Sequence, residues 1–131
     1  MALPPSFITD TDVFIDYLNG IEDARVILDS PGHTIYYAKI TRKELLGMPG
    51  LSISEQKKII TLLQTHRMIP LDQNIAAKFS ELLHKYSNNP LRNADALVAA
   101  TAWDRNLPLL TRNKKHYKFI LEINLLPYGS S

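Results

Sequence analysis

Three carboxylates stand where an acid has no evident structural task. Asp10 directly follows the apolar run Phe7-Ile8-Thr9, where a strand would end and a side chain would project beyond a sheet. Asp12 is the more natural N-cap for the helix that follows, which leaves Asp10 unexplained. At helical spacing Glu44 neighbours Ile40, Gly47 and Met48, and Asp95 neighbours Val98, Ala99 and Ala102, so neither lies on a charged stripe. Burying a carboxylate on such a face is costly unless a cation or hydrogen-bond donors satisfy it. Help to a helix's first turn is worth only about 0.3–1 kcal/mol, a weak reason for Asp95. Two misfits and a strand-end aspartate together point to convergence on a metal ion. With no cysteine in the chain, the available ligands are hard oxygens, and Mg²⁺ or Mn²⁺ is expected ahead of Zn²⁺. His33, His66 and His84 are scattered, form no HExxH pair, and read as surface or packing residues.

Positioning these acids requires alternating strands and helices. Val13, Phe14, Tyr17 and Leu18 recur at helical spacing until Asn19-Gly20 ends the helix. Ala24, Ile27 and Leu28 mark a second helix, and Asp29-Ser30-Pro31-Gly32 is a turn. Thr34–Ala38 reads as a buried strand, and a short helix runs from Ile40 to Gly47. Ser52-Ile53-Ser54-Glu55 is a capping box before a helix with Ile59, Ile60, Leu62 and Leu63 on its face. Met68-Ile69-Pro70-Leu71 is a brief edge strand, because its proline suits an end or an edge. Asp72 caps a helix carrying Ile75, Ala76, Phe79, Leu82 and Leu83 on one stripe, and Asn93 caps another running to about Asp104. Strands are expected over 107–111 and 123–126. The alternation predicts an α/β fold whose parallel sheet carries helices on both faces, with functional groups beyond the strands' carboxyl ends.

Composition narrows the function classes. The 131 residues suit one domain, 1–131, without repeats or linkers. A net charge of +2 is too mild for a general nucleic-acid coat, and 45% hydrophobic residues exclude disorder as the main state. Apolar runs are too short for a transmembrane helix. The opening Met1-Ala2-Leu3-Pro4-Pro5 lacks the flank of a secretory signal, and the absence of cysteine fits a reducing, cytoplasmic setting.

The segment Phe7-Ile8-Thr9-Asp10-Thr11-Asp12-Val13-Phe14-Ile15-Asp16-Tyr17-Leu18 resembles the opening of a PIN domain: a strand, Asp-Thr-Asn, then an apolar helix. Ile40–Gly47 is similar to the second signature of that family, Ala94–Ala102 to the third, and Leu109–Asn113 to the fourth. They occur in family order over nearly the whole chain, and the later pair looks most like VapC-type toxins of prokaryotic toxin–antitoxin systems. The resemblance implies a three-layer α/β/α fold with a central, mostly parallel sheet. It also implies that Asp10, Glu44 and Asp95 form the metal site of an endoribonuclease, with Asn113 in the fourth catalytic position. Two departures stand out: Asp12 replaces the usual Asn, and Asn113 stands where many relatives have a fourth Asp. Thr111 and Asp12 are then expected to support the ligands from behind. Three acids suit one divalent ion better than two.

Phosphodiester hydrolysis needs an activated water, neutralised transition-state charge and help for the leaving oxygen, which one or two divalent ions supply. The resemblance implies attack by water, leaving a 3′-hydroxyl and a 5′-phosphate. Arg112, Lys114, Lys115 and His116, following the last active-site strand, and Arg42-Lys43 beside Glu44, are candidates for holding RNA phosphates. Trp103 and the six tyrosines read mainly as core. The family implies a homodimer and a small VapB-like antitoxin as partner, with Ile59, Leu62 and Leu63 either apolar contact area or equally core. Two alternatives stay open. Asp10-Thr11-Asp12-Val13 also fits the nucleophile motif of a HAD-like phosphatase, with Asp10 as nucleophile. A catalytically weak PIN scaffold that binds RNA or a partner is the other.

Overall fold

Phe7 and Ile8 are both fully buried although neighbouring strand residues face opposite ways, so the strand that carries them must be covered on two sides. The structure, a computed structural model, describes residues 3–129; Met1 and Ala2 of the N-terminal segment lie outside the described residues. Its order is β1 (Ser6–Thr9), α1 (Thr11–Leu18), α2 (Glu22–Leu28), β2 (Thr34–Ala38), α3 (Lys39–Leu46), α4 (Ile53–Gln64), β3 (Arg67–Ile69), α5 (Gln73–Lys85), α6 (Asn93–Arg105), β4 (Leu109–Leu110) and β5 (Leu125–Leu126). A single 3₁₀ turn, Lys114–His116, lies between β4 and β5. The strands form one sheet in the order β3-β2-β1-β4-β5. Every pairing is parallel, a stricter arrangement than the mostly parallel sheet expected.

Alternation along the strands sorts the core into two layers. Phe7, Ile35, Tyr37 and Leu110 pack with Val13 and Phe14 of α1, Ala24 and Leu28 of α2, and Ile59, Leu62 and Leu63 of α4. Ile8, Ala38, Ile69 and Leu109 pack with Ile75 and Leu82 of α5 and with Val98, Ala99 and Ala102 of α6. That is the α/β/α sandwich. Ile59, Leu62 and Leu63 are spent on this core, at 1%, 6% and 1% exposure, so they offer no free contact area to a partner. Among the described residues, no helix is long and apolar enough to cross a membrane.

Local chemistry sets the element ends. Ser52 and Glu55 exchange reciprocal 3.0 Å bonds as a capping box at α4. Gly47 ends α3 where a Cβ would meet the Lys43 carbonyl oxygen at 2.8 Å, closer than a side chain tolerates. Asn106 ends α6 in the left-handed region, φ 52°, which asparagine adopts more readily than most residues. β4 and β5 are shorter than the runs 107–111 and 123–126 suggest, because only two residues of each pair with a neighbour.

Two caps differ from the sequence reading. α1 starts one residue after Asp10, whose side chain accepts the Thr11 N–H at 2.8 Å, so Asp10 and not Asp12 is the N-cap. The helix begins two residues before Val13, its first apolar residue, so the apolar spacing alone sets the start too late. At α6 the cap position is Arg92, with no side-chain cap bond, and Asn93 is the first helical residue.

Candidate active site

The carboxyl ends of β1 and β4 lie side by side, held by the Asp10 N–H donating to the Leu110 carbonyl at 2.9 Å. This pairing brings Thr111 against Asp10. The Thr111 hydroxyl is 2.9 Å from Asp10 Oδ2 and 3.3 Å from Asp12 Oδ2. Asp12 also accepts the backbone N–H groups of Arg112, at 3.1 Å, and Asn113, at 3.0 Å. Asp12 is therefore the latch that fixes the chain leaving β4, and not a helix cap.

Asp10 and Asp95 meet through a residue that nothing in the sequence singles out. The Tyr117 hydroxyl lies 2.9 Å from Asp10 Oδ2 and 3.2 Å from Asp95 Oδ1. Asp95 sits in the first turn of α6 and is paired on its other side by Arg92, whose Nε and Nη2 donate at 3.2 and 3.3 Å. His116 Nδ1 stands 3.7 Å from the same carboxylate. Glu44 joins from α3 less directly: its Oε1 accepts the Thr11 hydroxyl at 2.7 Å, and the Thr41 hydroxyl lies 3.0 Å from that of Thr11. Asp10, Asp12 and Asp95 are 6%, 7% and 5% exposed, so they form a buried acidic centre with little water to screen it. Burial, and then the charge of Asp12, push the Asp10 carboxyl up to about 7. Burial likewise raises Asp12, against the backbone N–H groups that hold it down. Burial beside both aspartates keeps the Tyr117 phenol protonated, so it remains a donor.

Among the described residues no three acidic or histidine side chains come close enough to hold one ion as they stand. Thr11 occupies Glu44, and Arg92 donates to both oxygens of Asp95. The donor set nevertheless fits a hard divalent cation. Its donors are carboxylate and hydroxyl oxygens beside one ring nitrogen, and Asp12 Oδ1 and His116 Nδ1 are both buried without a hydrogen-bond partner. Burial raises both Asp10 and Asp12, and of the two only Asp12 has a cation, Arg112, holding it down.

Other candidate residues lie outside this cluster. Asn113 is half-buried and enters through its backbone N–H, not its amide. Arg112 is ion-paired to Asp16, which also accepts the Tyr128 hydroxyl at 2.8 Å, so this arginine is tied to α1. Lys114 and Lys115 sit on the 3₁₀ turn, with Lys115 exposed. Arg42 is exposed on α3 and lines a separate cavity of about 470 Å³ with Ala38, Ile69 and Leu97. The sequence reading passed over Thr11, Asp16, Arg92 and Tyr117. Asp16 had a signal, since it follows Asp12 by four residues and so shares its helix face. Tyr117 had none. The phosphatase reading would want a later acidic pair borne on a strand, whereas Glu44 and Asp95 lie on the helices α3 and α6.

The latch role of Asp12 has a measurable consequence. Asp12→Ala strands the Arg112 N–H and leaves the Asn113 N–H only the Thr111 hydroxyl, at 3.1 Å, and should cost about 1–3 kcal/mol of stability in urea unfolding, the cost of one unsatisfied donor. Asp12→Asn keeps an acceptor oxygen for those groups and should stay within about 1 kcal/mol of the original protein. Equal stabilities for the alanine variant and the unaltered protein would refute the latch.

Residues 7–120 match the family model for the PIN domain. The chain is 31% identical over 117 residues to Ribonuclease VapC10 of Mycobacterium tuberculosis, covering 84% of each chain. It is 28% identical over 124 residues to Ribonuclease VapC1 of Methanocaldococcus jannaschii, covering 92% of this chain and 85% of the relative. Among solved structures it is similar to a toxin–antitoxin complex from Klebsiella pneumoniae, with TM-score 0.75 and 27% identity over 89% of this chain and 94% of that one.

Proposed function

The chain belongs to the PIN-domain family, and from that premise we propose that it is a divalent-metal-dependent endoribonuclease, the toxin of a toxin–antitoxin pair. One observation carries the reading: Asp10, from the end of β1, and Asp95, from the start of α6, face a common buried point, with Thr111 behind them. The relatives named as ribonucleases supply the reaction class.

In this reading Asp10, Glu44 and Asp95 hold Mg²⁺ or Mn²⁺, which supplies an activated water and neutralises charge on the phosphate undergoing attack. The chain's own residues do the rest. Thr111 orients Asp10 through Oδ2, and Asp12 holds Thr111, Arg112 and Asn113 in place. Thr11 holds Glu44 from the first turn of α1. Lys114, Lys115 and Arg42 offer exposed or partly exposed cations for RNA phosphates, and Arg112 joins them where it leaves Asp16. The proposal includes a single PIN unit over residues 1–131, a cytoplasmic setting, a homodimer and a small VapB-like antitoxin. The buried acidic centre suits an antitoxin that presents a cation to it.

The test is cleavage of RNA by the purified protein with Mn²⁺, with EDTA, and with Mn²⁺ restored in excess. Cleavage is expected only in the first and third conditions, leaving 5′-phosphate ends. Cleavage that survives EDTA would overturn the metal requirement. RNA binding without cleavage in any condition would favour the catalytically weak scaffold.

A further inference from the structure

Tyr117 is fully buried, yet its hydroxyl does not face the apolar core that surrounds its ring. It stands between the two aspartates, within bonding distance of both. A phenol has one hydrogen, so it donates to one carboxylate at a time and is shared between them. Without that hydroxyl, two like charges would face each other across a buried gap, and each would turn away to lower the repulsion. The other groups on these acids do not join them. Thr11 and Thr111 bind only Asp10 of the pair, and Arg92 binds only Asp95.

We propose that Tyr117 is a positioning residue, whose hydroxyl holds the Asp10 and Asp95 carboxylates facing one another so that they receive a divalent ion together. The inference rests on the metal-dependent reading above. Ligands already oriented by a neighbour bind without a reorganisation cost, and loss of such a partner commonly weakens metal binding about 10–100-fold. The ring fixes the hydroxyl from behind. It packs with the β4–α6 layer of the core, so the oxygen's place is set by the fold and not by the aspartates.

Tyr117→Phe removes one oxygen and keeps the ring, which makes it the direct test. In calorimetric titration of the metal-free proteins with Mn²⁺, the variant is expected to bind about tenfold more weakly than the unaltered protein. The Mn²⁺ concentration for half-maximal RNA cleavage should rise by a similar factor, while the KM for RNA stays unchanged and saturating Mn²⁺ restores most of the rate. A metal-free melting temperature within a few degrees of the original shows that the variant is folded. Unchanged Mn²⁺ affinity would overturn the proposal, whatever happens to the melting temperature. Tighter binding would also overturn it, since the hydroxyl would then be a competitor of the ion. Absence of Mn²⁺ binding by the unaltered protein would sink the metal reading itself, and this proposal with it.

Discussion

Asp10→Asn is expected to lower Mn²⁺-dependent RNA cleavage by at least about a hundredfold, the scale of losing one preorganised electrostatic contact to the reacting centre. The fold should survive. Asparagine caps helices about as well as aspartate, and its amide oxygen still accepts the Thr11 N–H. Thr111 and Tyr117 carry hydroxyls, which accept as readily as they donate, so the new amide nitrogen meets partners. The same variant should change the pH dependence of stability without metal. Asp10 is raised from 3.8 to about 7, chiefly by burial. The folded protein therefore holds a proton that the unfolded chain releases at lower pH. That contribution is fully present below the unfolded value and is lost as pH rises towards the folded one. The metal-free melting temperature of the original protein should therefore fall between about pH 4 and pH 7 relative to Asp10→Asn, and the difference should level off above that. Cleavage equal to the original by a folded Asp10→Asn protein would remove Asp10 from the site. Parallel melting profiles would show that its carboxyl titrates normally.

Asp95→Ala should abolish cleavage as severely, yet leave metal-free stability nearly untouched, within about 1 kcal/mol. The geometry explains the split. Arg92 loses its partner, but its side chain is 66% exposed and returns to water. The buried partner is the one removed, so no uncompensated charge is left inside the protein. Tyr117 keeps its bond to Asp10, and a charge facing Asp10 is removed. Urea unfolding and an RNA assay on one preparation test both halves. A loss of about 3 kcal/mol or more would make Asp95 a structural residue. Retained cleavage would place the ion elsewhere.

How far the sequence discloses this molecule depends on whether each signal is local. The capping box at Ser52, the break at Gly47 and the β-branched run Thr34–Ala38 are written in adjacent residues, and the structure has them where they read. The caps at Asp10 and Arg92 did not read correctly, because a one-residue connection and a capless helix start leave no composition to detect. Asp10, Glu44 and Asp95 stood out because an acid on an apolar face is locally odd. What holds them is not local. Thr11 meets Glu44 across 33 positions, Asp12 meets Asn113 across 101, and Tyr117 meets Asp10 across 107. Tyrosine in a core is ordinary. Only the folded chain distinguishes Tyr117, which bridges two acids, from Tyr37, whose hydroxyl donates to the Leu63 carbonyl.

The strand order has a bearing on synthesis. β1, which precedes the other four described strands in the chain, occupies the middle of the sheet, and one of its flanks is covered only by β4. During synthesis Asp10 therefore precedes its partners Thr111 and Tyr117 by 101 and 107 positions. Pairing of such distant segments comes late in folding, because the chain entropy of closing the loop is lost before the contact forms. A chain halted before β4 carries Asp10, Glu44 and Asp95, yet has nothing to orient the first of them from behind and no hydroxyl between it and the third. Such a chain has the three acids without the arrangement that holds them.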